Sequence, residues 1–423
     1  MFLFNGVSLR NSLLLLVALV LLCDLFVRYF ERNSDPEGSA TVAPPWSQAQ
    51  TAEREFSGHV IQTGNAKGRD NNTWLNDEML AANGKRRIKT ILYWNSLFGK
   101  PDFGLGFGRS VFEKAHCSFS ACTTTNDRAK FDKADMVMFH GFQIRAADMP
   151  ARTRHDQIWV YYNRENPLRS KESVRGMNDK FNFTVTYLDS PDTDVRYSVV
   201  RVPKSNPYKL PDVATIGAKS RMVVWIVSDC SVHSTRVEYV QELSRHVQVD
   251  VYGACGNLSC PRHPRSASSK CYKKIEETYF FYLALENGFC KDYITEKPVI
   301  ATRLNIVPIV LGYVNYSQIL PPNSFIDVRD FKSPRHLAEY ISYLGKNIKE
   351  YMNYLQWKAH FPYILRIKGD KNLLICRLCE VLHNRDFKYK SRFDLEDYWN
   401  SGKVCLVGDK ERESVHLTKL RVR

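Results

Sequence analysis

The chain has 423 residues, 44% apolar and 25% charged, which is ordinary globular composition and long enough for two domains with cores of their own. That balance does not describe a disordered chain. A formal charge of +15 leaves a phosphorylated ligand or a membrane surface open as partners, while nucleic acid is set aside because no zinc-finger, RNP-like or basic-region pattern is present.

The first element is apolar. In "RNSLLLLVALVLLCDLFVRYFER" the run from Leu13 to Cys23 continues past Asp24 through Val27, about long enough to cross a bilayer with Arg10 and Arg28 snorkelling. A cleaved signal peptide is the competing reading, but Cys-Asp-Leu-Phe follows where an Ala-x-Ala-like site would stand. The expectation is a signal anchor over residues 11–30, with residues 1–10 cytosolic and the body luminal. Asn71, Asn182, Asn257 and Asn315 each head an N-glycosylation sequon in such a chain. Of 11 cysteines, removing Cys23 leaves an even set compatible with disulfides.

Residues 31–86, which include "DPEGSATVAPPWSQAQTAE", carry little periodic hydrophobicity and read as a flexible stem. From 87 to 215 the strand candidates are Ile88 to Trp94, Asp135 to Gly141, Gln157 to Asn163 and Phe181 to Leu188, rich in β-branched and aromatic residues. A second series, from 216 to 390, runs Arg221 to Ser228, a helix near "STRVEYVQELSRHV", then "QVDVYG", "YFFYLALE", a helix after Thr295, and "NIVPIVLG". Continuous apolar strands separated by amphipathic helices predict parallel sheets covered on both faces, and two such halves predict a cleft between them. Ser333-Pro334 starts a helix whose Leu337, Tyr340, Ile341 and Leu344 face a core. "IKEYMNYLQWKAHF" reads as another helix, and residues 391–423 as a C-terminal tail.

Arg236 and Lys297 share an odd position, each in the first turn of a helix that follows a strand. A cation there opposes the helix macrodipole at a cost of a few tenths of a kcal/mol. A bound diphosphate reverses that sign; two solvated surface charges are the bland alternative. Glu165, in "WVYYNRENP", is by itself a loop carboxylate of the kind that is ordinarily solvated. Asp192-Thr193-Asp194 matches a short Asp-x-Asp pattern that can place a divalent metal under nucleotide phosphates. Cys376-Arg-Leu-Cys379 lacks a partner pair for zinc, so disulfides are preferred, with Cys255, Cys260, Cys271 and Cys290 free to form others. His140, ending "VMFHG", fits a cleft residue or a satisfied structural histidine and stays outside the catalytic set.

"FYLALENGFCKDYITEKPVIATRLNIVPIVLG", followed by "NYSQILPPNSFIDVRDFKSPRHLAEYISYL", resembles the donor-binding region of the α1,3-fucosyltransferases. Their hallmark is Phe-Tyr-Leu-x-Phe-Glu-Asn-Ser followed by Asp-Tyr-(Ile/Val)-Thr-Glu-Lys. The likeness extends roughly from Ile88 to Cys379 and is strongest from Tyr282 to Leu344; "CGNLSCPR" resembles invertebrate members. It implies a GT-B-type α/β pair of Rossmann-like domains facing a central cleft, preceded by a single transmembrane helix in a single-pass type II Golgi membrane protein. The implied reaction moves L-fucose from GDP-fucose, with inversion, to a GlcNAc of a glycan acceptor on glycoprotein. Residues 87–215 would be the acceptor side and 216–390 the GDP-fucose side.

Residue by residue, the resemblance puts Glu286, Asn287, Tyr293, Glu296 and Lys297 on the donor-contact motif, with Lys297 at the diphosphate and Arg236 as a second clamp. "NRENP" resembles the family's Asn-x-Glu-Ser-Pro and makes Glu165 the base that inversion requires. Cys117 and Cys122 become the partners of Cys376 and Cys379. Asp192 and Asp194 become structural or acceptor-side residues, with no metal or other cofactor required. Leu285 stands for the usual Phe, Gly288 for Ser and Pro298 for a large apolar residue. The departures at Leu285 and Gly288 motivate the alternative, a catalytically silent, membrane-tethered glycan-binding protein that keeps the fold.

Overall fold

A computed structural model describes residues 87–170, 174–188, 198–203, 208–231, 234–260, 269–361, 363–368, 371–384 and 394–417. The expected anchor, the stem, Asn71, Asp192 and Asp194 lie outside the described residues. Among the described residues no helix is long and apolar enough to cross a membrane. Two five-stranded sheets belong to one compact unit, Thr63–Arg423.

The first sheet contains β1 (Lys89–Tyr93), β2 (Cys122–Thr125), β3 (Met136–His140), β4 (Ile158–Tyr162) and β5 (Phe183–Val185). After β6 (Ser198–Pro203), the second contains β7 (Arg221–Ile226), β8 (Val249–Tyr252), β9 (Tyr279–Leu285), β10 (Val307–Leu311) and β11 (Ile326–Asp327). All pairs within the two sheets are parallel. The spatial orders are β2-β1-β3-β4-β5 and, read from its other edge, β8-β7-β9-β10-β11. Each sheet therefore has the same doubly wound order, which reverses direction between its first and third strands and opens a ligand crevice beyond their carboxyl ends. This is a GT-B-like arrangement of two α/β halves.

Parallel strands joined by covering helices bury both faces, and the period-2 alternation sorts their side chains between two cores. On β1, β3 and β4, Tyr93, Met138 and Tyr162 enter one cluster, while Leu92, Phe139 and Tyr161 enter the other. The first cluster is closed by the helix Lys371–His383, whose Leu374, Leu378 and Cys379 pack under the first sheet although they lie far along the chain. Disulfides Cys117–Cys376 and Cys122–Cys379 fix that return, joining the four cysteines as the resemblance implies. Three more pairs, Cys230–Cys255, Cys260–Cys271 and Cys290–Cys405, use the remaining cysteines of the body.

Three features differ from the sequence expectation. The short Thr-rich β2 extends the first sheet by pairing with β1. The strand β12 (Tyr363–Lys368) pairs antiparallel with β6 outside both parallel sheets. Residues 394–417 of the expected tail fold into the short helices Leu395–Tyr398, Ser401–Val404 and Asp409–Ser414. The sequon at Asn182 is corrected: the residue is 6% exposed and its Oδ1 accepts from Trp159 N at 3.0 Å, so the folded chain does not present it to solvent. Asn257 and Asn315 are exposed.

Candidate active site

At the crevice of the second sheet, the chain leaves β7 toward the helix Arg236–Leu243 and leaves β9 into Glu286. Arg236 is 3% exposed, and its guanidinium donates to Leu285 O at 3.1 Å and Asp229 O at 2.8 Å. Both acceptors are backbone carbonyls, so among the described residues no carboxylate pairs directly with this charge. Its Nε finds no partner among the described residues. Burial lowers the Arg236 pKa, an effect that the charges of Glu286 and Asp229 oppose.

One residue past Leu285, Glu286 is 2% exposed and its carboxylate is fully engaged. Its Oε1 accepts from Thr295 N at 2.8 Å, and its Oε2 accepts from Thr295 Oγ1 at 2.8 Å and from Lys297 Nζ at 2.7 Å. Glu286 thus anchors Lys297 and the start of the helix Glu296–Thr302 from below. Burial alone would lower the Lys297 pKa, but the Glu286 and Glu296 carboxylates outweigh it and raise the value, so the ammonium stays charged at neutral pH. Glu296, half-buried, occupies the first turn of that helix. Tyr293 is buried: its ring packs on Tyr187 at 4.8 Å within the core shared with the first sheet.

Across the crevice, Glu165 follows β4 just before the helix Pro167–Ser170. Asn163 Oδ1 accepts from its backbone N–H at 3.0 Å and holds the turn. Asn287 Nδ2 reaches Glu165 Oε2 at 3.5 Å, while Asn287 Oδ1 accepts from Asn166 Nδ2 at 3.0 Å. Asn287 therefore bridges the two halves through its amide. Burial raises the Glu165 pKa above the ordinary carboxylate value, opposed by the Asn287 amide and by the charges of Lys297 and Arg169. A carboxylate poised upward in this way suits proton abstraction near neutral pH.

The structure brings Glu165, Asn287, Glu286, Lys297 and Arg236 to one place. Sequence reasoning missed four of their neighbours. Thr295 completes the Glu286 cradle, Asn166 orients Asn287, and Arg169 forms a 2.7 Å bridge from the first half to Asp229 of the second. Glu411, from the tail, accepts from Thr235 N beside Arg236 at 2.7 Å. Only Asn166 had a legible signal, standing where the family motif has Ser.

The departure at Gly288 has a structural reason. A Cβ there would stand 2.5 Å from Asn166 Nδ2. The larger Asn166 and the smaller Gly288 are complementary across the interface.

At the matching crevice of the first sheet, His140 is fully buried, with Nδ1 at 3.0 Å from Ser96 O and 3.1 Å from Gln143 Oε1. Burial lowers its pKa, which keeps the imidazole neutral. Phe98 and Phe103, both in left-handed backbone (φ 48° and 54°), pack edge-on toward its ring. Phe98 is 53% and Phe107 43% exposed, so aromatic surface rims this crevice.

Two anion-attracting side chains under one crevice and a carboxylate facing them define a group-transfer site between two α/β halves. Two family models match the chain: "Fucosyltransferase, N-terminal" over residues 86–198 and "Glycosyltransferase family 10 (fucosyltransferase) C-term" over residues 216–399. Glycoprotein 3-alpha-L-fucosyltransferase A of Drosophila melanogaster is 33% identical over 341 residues, covering 78% of this chain and 63% of that protein. Human 4-galactosyl-N-acetylglucosaminide 3-alpha-L-fucosyltransferase 9 is 31% identical over 349 residues, covering 78% of this chain and 91% of that one. The crystal structure of an alpha1,3-fucosyltransferase with GDP-fucose aligns at 18% identity and a TM-score of 0.46, over 71% of this chain and 92% of that chain. The chain belongs to the family 10 glycosyltransferases, the fucosyltransferases.

Proposed function

We propose that this protein is an inverting α1,3-fucosyltransferase that moves L-fucose from GDP-fucose to the 3-hydroxyl of a GlcNAc on glycoprotein glycans. It would work in the Golgi lumen, held by a type II anchor at residues 11–30. The observation that carries the reading is the hydrogen bond from Asn287 to Glu165, which sets a raised-pKa carboxylate against the segment bearing Lys297. Glu165 takes the proton of the acceptor hydroxyl, whose oxygen attacks fucose C1 as the bond to GDP breaks. Lys297 and Arg236 stabilise the negative charge that develops on the leaving diphosphate. The exposed rings of Phe98 and Phe107 offer apolar faces on which an acceptor sugar can stack. No step in this mechanism calls on a metal.

The names of the relatives support a 3-linked fucose and a GlcNAc-containing glycoprotein acceptor. The rival reading, a silent glycan-binding protein, rests on the departures at Leu285 and Gly288, and the fit of Gly288 to Asn166 gives one of those two a structural reason. Mass spectrometry of glycopeptide acceptors incubated with GDP-fucose and the full chain should show one added deoxyhexose, in the presence of EDTA as in its absence. Acceptor binding without any mass gain would favour the silent protein. Loss of turnover in EDTA would favour a metal site at Asp192 and Asp194.

A further inference from the structure

The tail segment 394–417 runs beyond the family-model match, which ends at residue 399, and it touches both sides of the site. Trp399, packed against Tyr161 and Tyr187, donates its indole N–H to Ser170 Oγ at 2.8 Å. The same oxygen accepts from Asn163 Nδ2 at 3.0 Å, and Asn163 holds the Glu165 backbone. Farther on, Cys405 is bonded to Cys290, Lys291 N donates to Val404 O at 2.7 Å, and Leu406 N donates to Phe289 O at 2.8 Å. That bridge lies along the loop leading from Asn287 to Lys297.

The helix Asp409–Ser414 then reaches the start of the helix that carries Arg236. Thr235, its N-cap residue, is buried and makes no side-chain cap of its own. Glu411, 1% exposed, receives Thr235 N at 2.7 Å and Thr235 Oγ1 at 3.1 Å. Arg412 pairs with Glu238 of the same helix at 2.9 Å.

We propose that Glu411 is a positioning residue for donor binding: by holding Thr235 it fixes the stem of Arg236 beneath the diphosphate position, and the tail acts as a strap on the site. The geometry supports this in two ways. Arg236 has its head set by Leu285 O and Asp229 O, so the remaining freedom lies where its backbone enters the helix, at Thr235. The N–H groups opening a helix need partners from outside it, and here a distant carboxylate supplies one. The groups acting on Glu411 are Thr235 and Glu238 on the Arg236 helix and Arg412 on its own. Burial raises its pKa to about 7, so a neutral amide is a close mimic of the group near neutral pH.

This inference rests on the GDP-fucose reading, and its test separates the two. Initial rates of the full chain are measured against GDP-fucose and, separately, against acceptor, with thermal unfolding as a control. Glu411→Ala should raise the donor KM about fivefold, the binding equivalent of losing one helix cap, and leave the acceptor KM unchanged. Glu411→Gln, which keeps an accepting oxygen for Thr235, should hold the donor KM within about twofold of the parent. A purely structural role would lower the melting temperature and kcat without this split. A folded Glu411→Ala protein with the parent donor KM, or with both KM values raised together, overturns the proposal, as does Glu411→Gln behaving like Glu411→Ala. If Glu411→Ala fails to fold, Glu411→Asp, one methylene short of Thr235, must show the same donor-only rise. If the parent shows no turnover, the proposed function falls, and the same comparison is read from the Kd for GDP.

Discussion

Replacing Gly288 by serine gives the sharpest perturbation of the interface between the two halves. The added Cβ would lie 2.5 Å from Asn166 Nδ2, 2.6 Å from its Cγ and 2.8 Å from its Oδ1, so it meets the whole amide. Asn166 is fully buried and cannot swing away without giving up its 3.0 Å bond to Asn287 Oδ1. Overpacking a buried site costs ~1–3 kcal/mol and a lost hydrogen bond ~1 kcal/mol, so Gly288→Ser should destabilise the protein by ~2–4 kcal/mol.

Because Asn287 also holds Glu165, kcat should fall about tenfold, equivalent to ~1.4 kcal/mol in the barrier. Asn166→Ser alone opens a void and strands the Asn287 oxygen, for a loss of ~1–3 kcal/mol. The double variant restores Ser at both positions, as in the family hallmark, and should recover most of either loss. Denaturant unfolding and kcat measured at the four corners of this cycle should give a coupling of ~1–3 kcal/mol. Additivity within ~0.5 kcal/mol would refute the reasoning.

Asn287→Ala removes an amide that lowers the Glu165 pKa, so the acid limb of the kcat/KM profile should move to higher pH; an unmoved limb would separate Asn287 from the base. Glu411 has a folded-state pKa of about 7 against an ordinary 4.5, so the folded protein holds that proton more tightly. Its contribution to stability is full below about pH 4.5 and is lost as pH rises through about 7, so melting curves of the parent should show a pH dependence in that window that Glu411→Gln lacks. The Cys290–Cys405 bond spans 115 residues, and replacing both cysteines by alanine should cost ~2–4 kcal/mol in denaturant unfolding.

The two parallel sheets were legible because strands buried on both faces are written as continuous apolar runs, as in "MVMFH" and "YFFYLAL". β2 was not, since "CTTT" carries little apolar signal and joins the sheet through pairing with β1. β12 pairs with a strand some 160 residues earlier, and no local turn announces such a partner. In the site, the residues between Glu286 and Lys297 were marked by the resemblance to the fucosyltransferase hallmark, but their division of labour was not. That Glu286 is buried under Lys297 depends on Thr295 filling both carboxylate oxygens, which is a tertiary fact. Glu411 was hidden in "DKERES", a run whose composition is that of a solvated surface helix.

The division between holding the donor and activating the acceptor is tested most directly by calorimetric titration of GDP, paired with single-turnover rates, on Glu165→Gln and Lys297→Ala. Glu165→Gln should bind GDP like the parent and lose at least about a hundredfold in rate, whereas Lys297→Ala should weaken GDP binding about tenfold or more. A Glu165→Gln protein that turns over at the parental rate, or a Lys297→Ala protein with unchanged GDP affinity, would contradict the account.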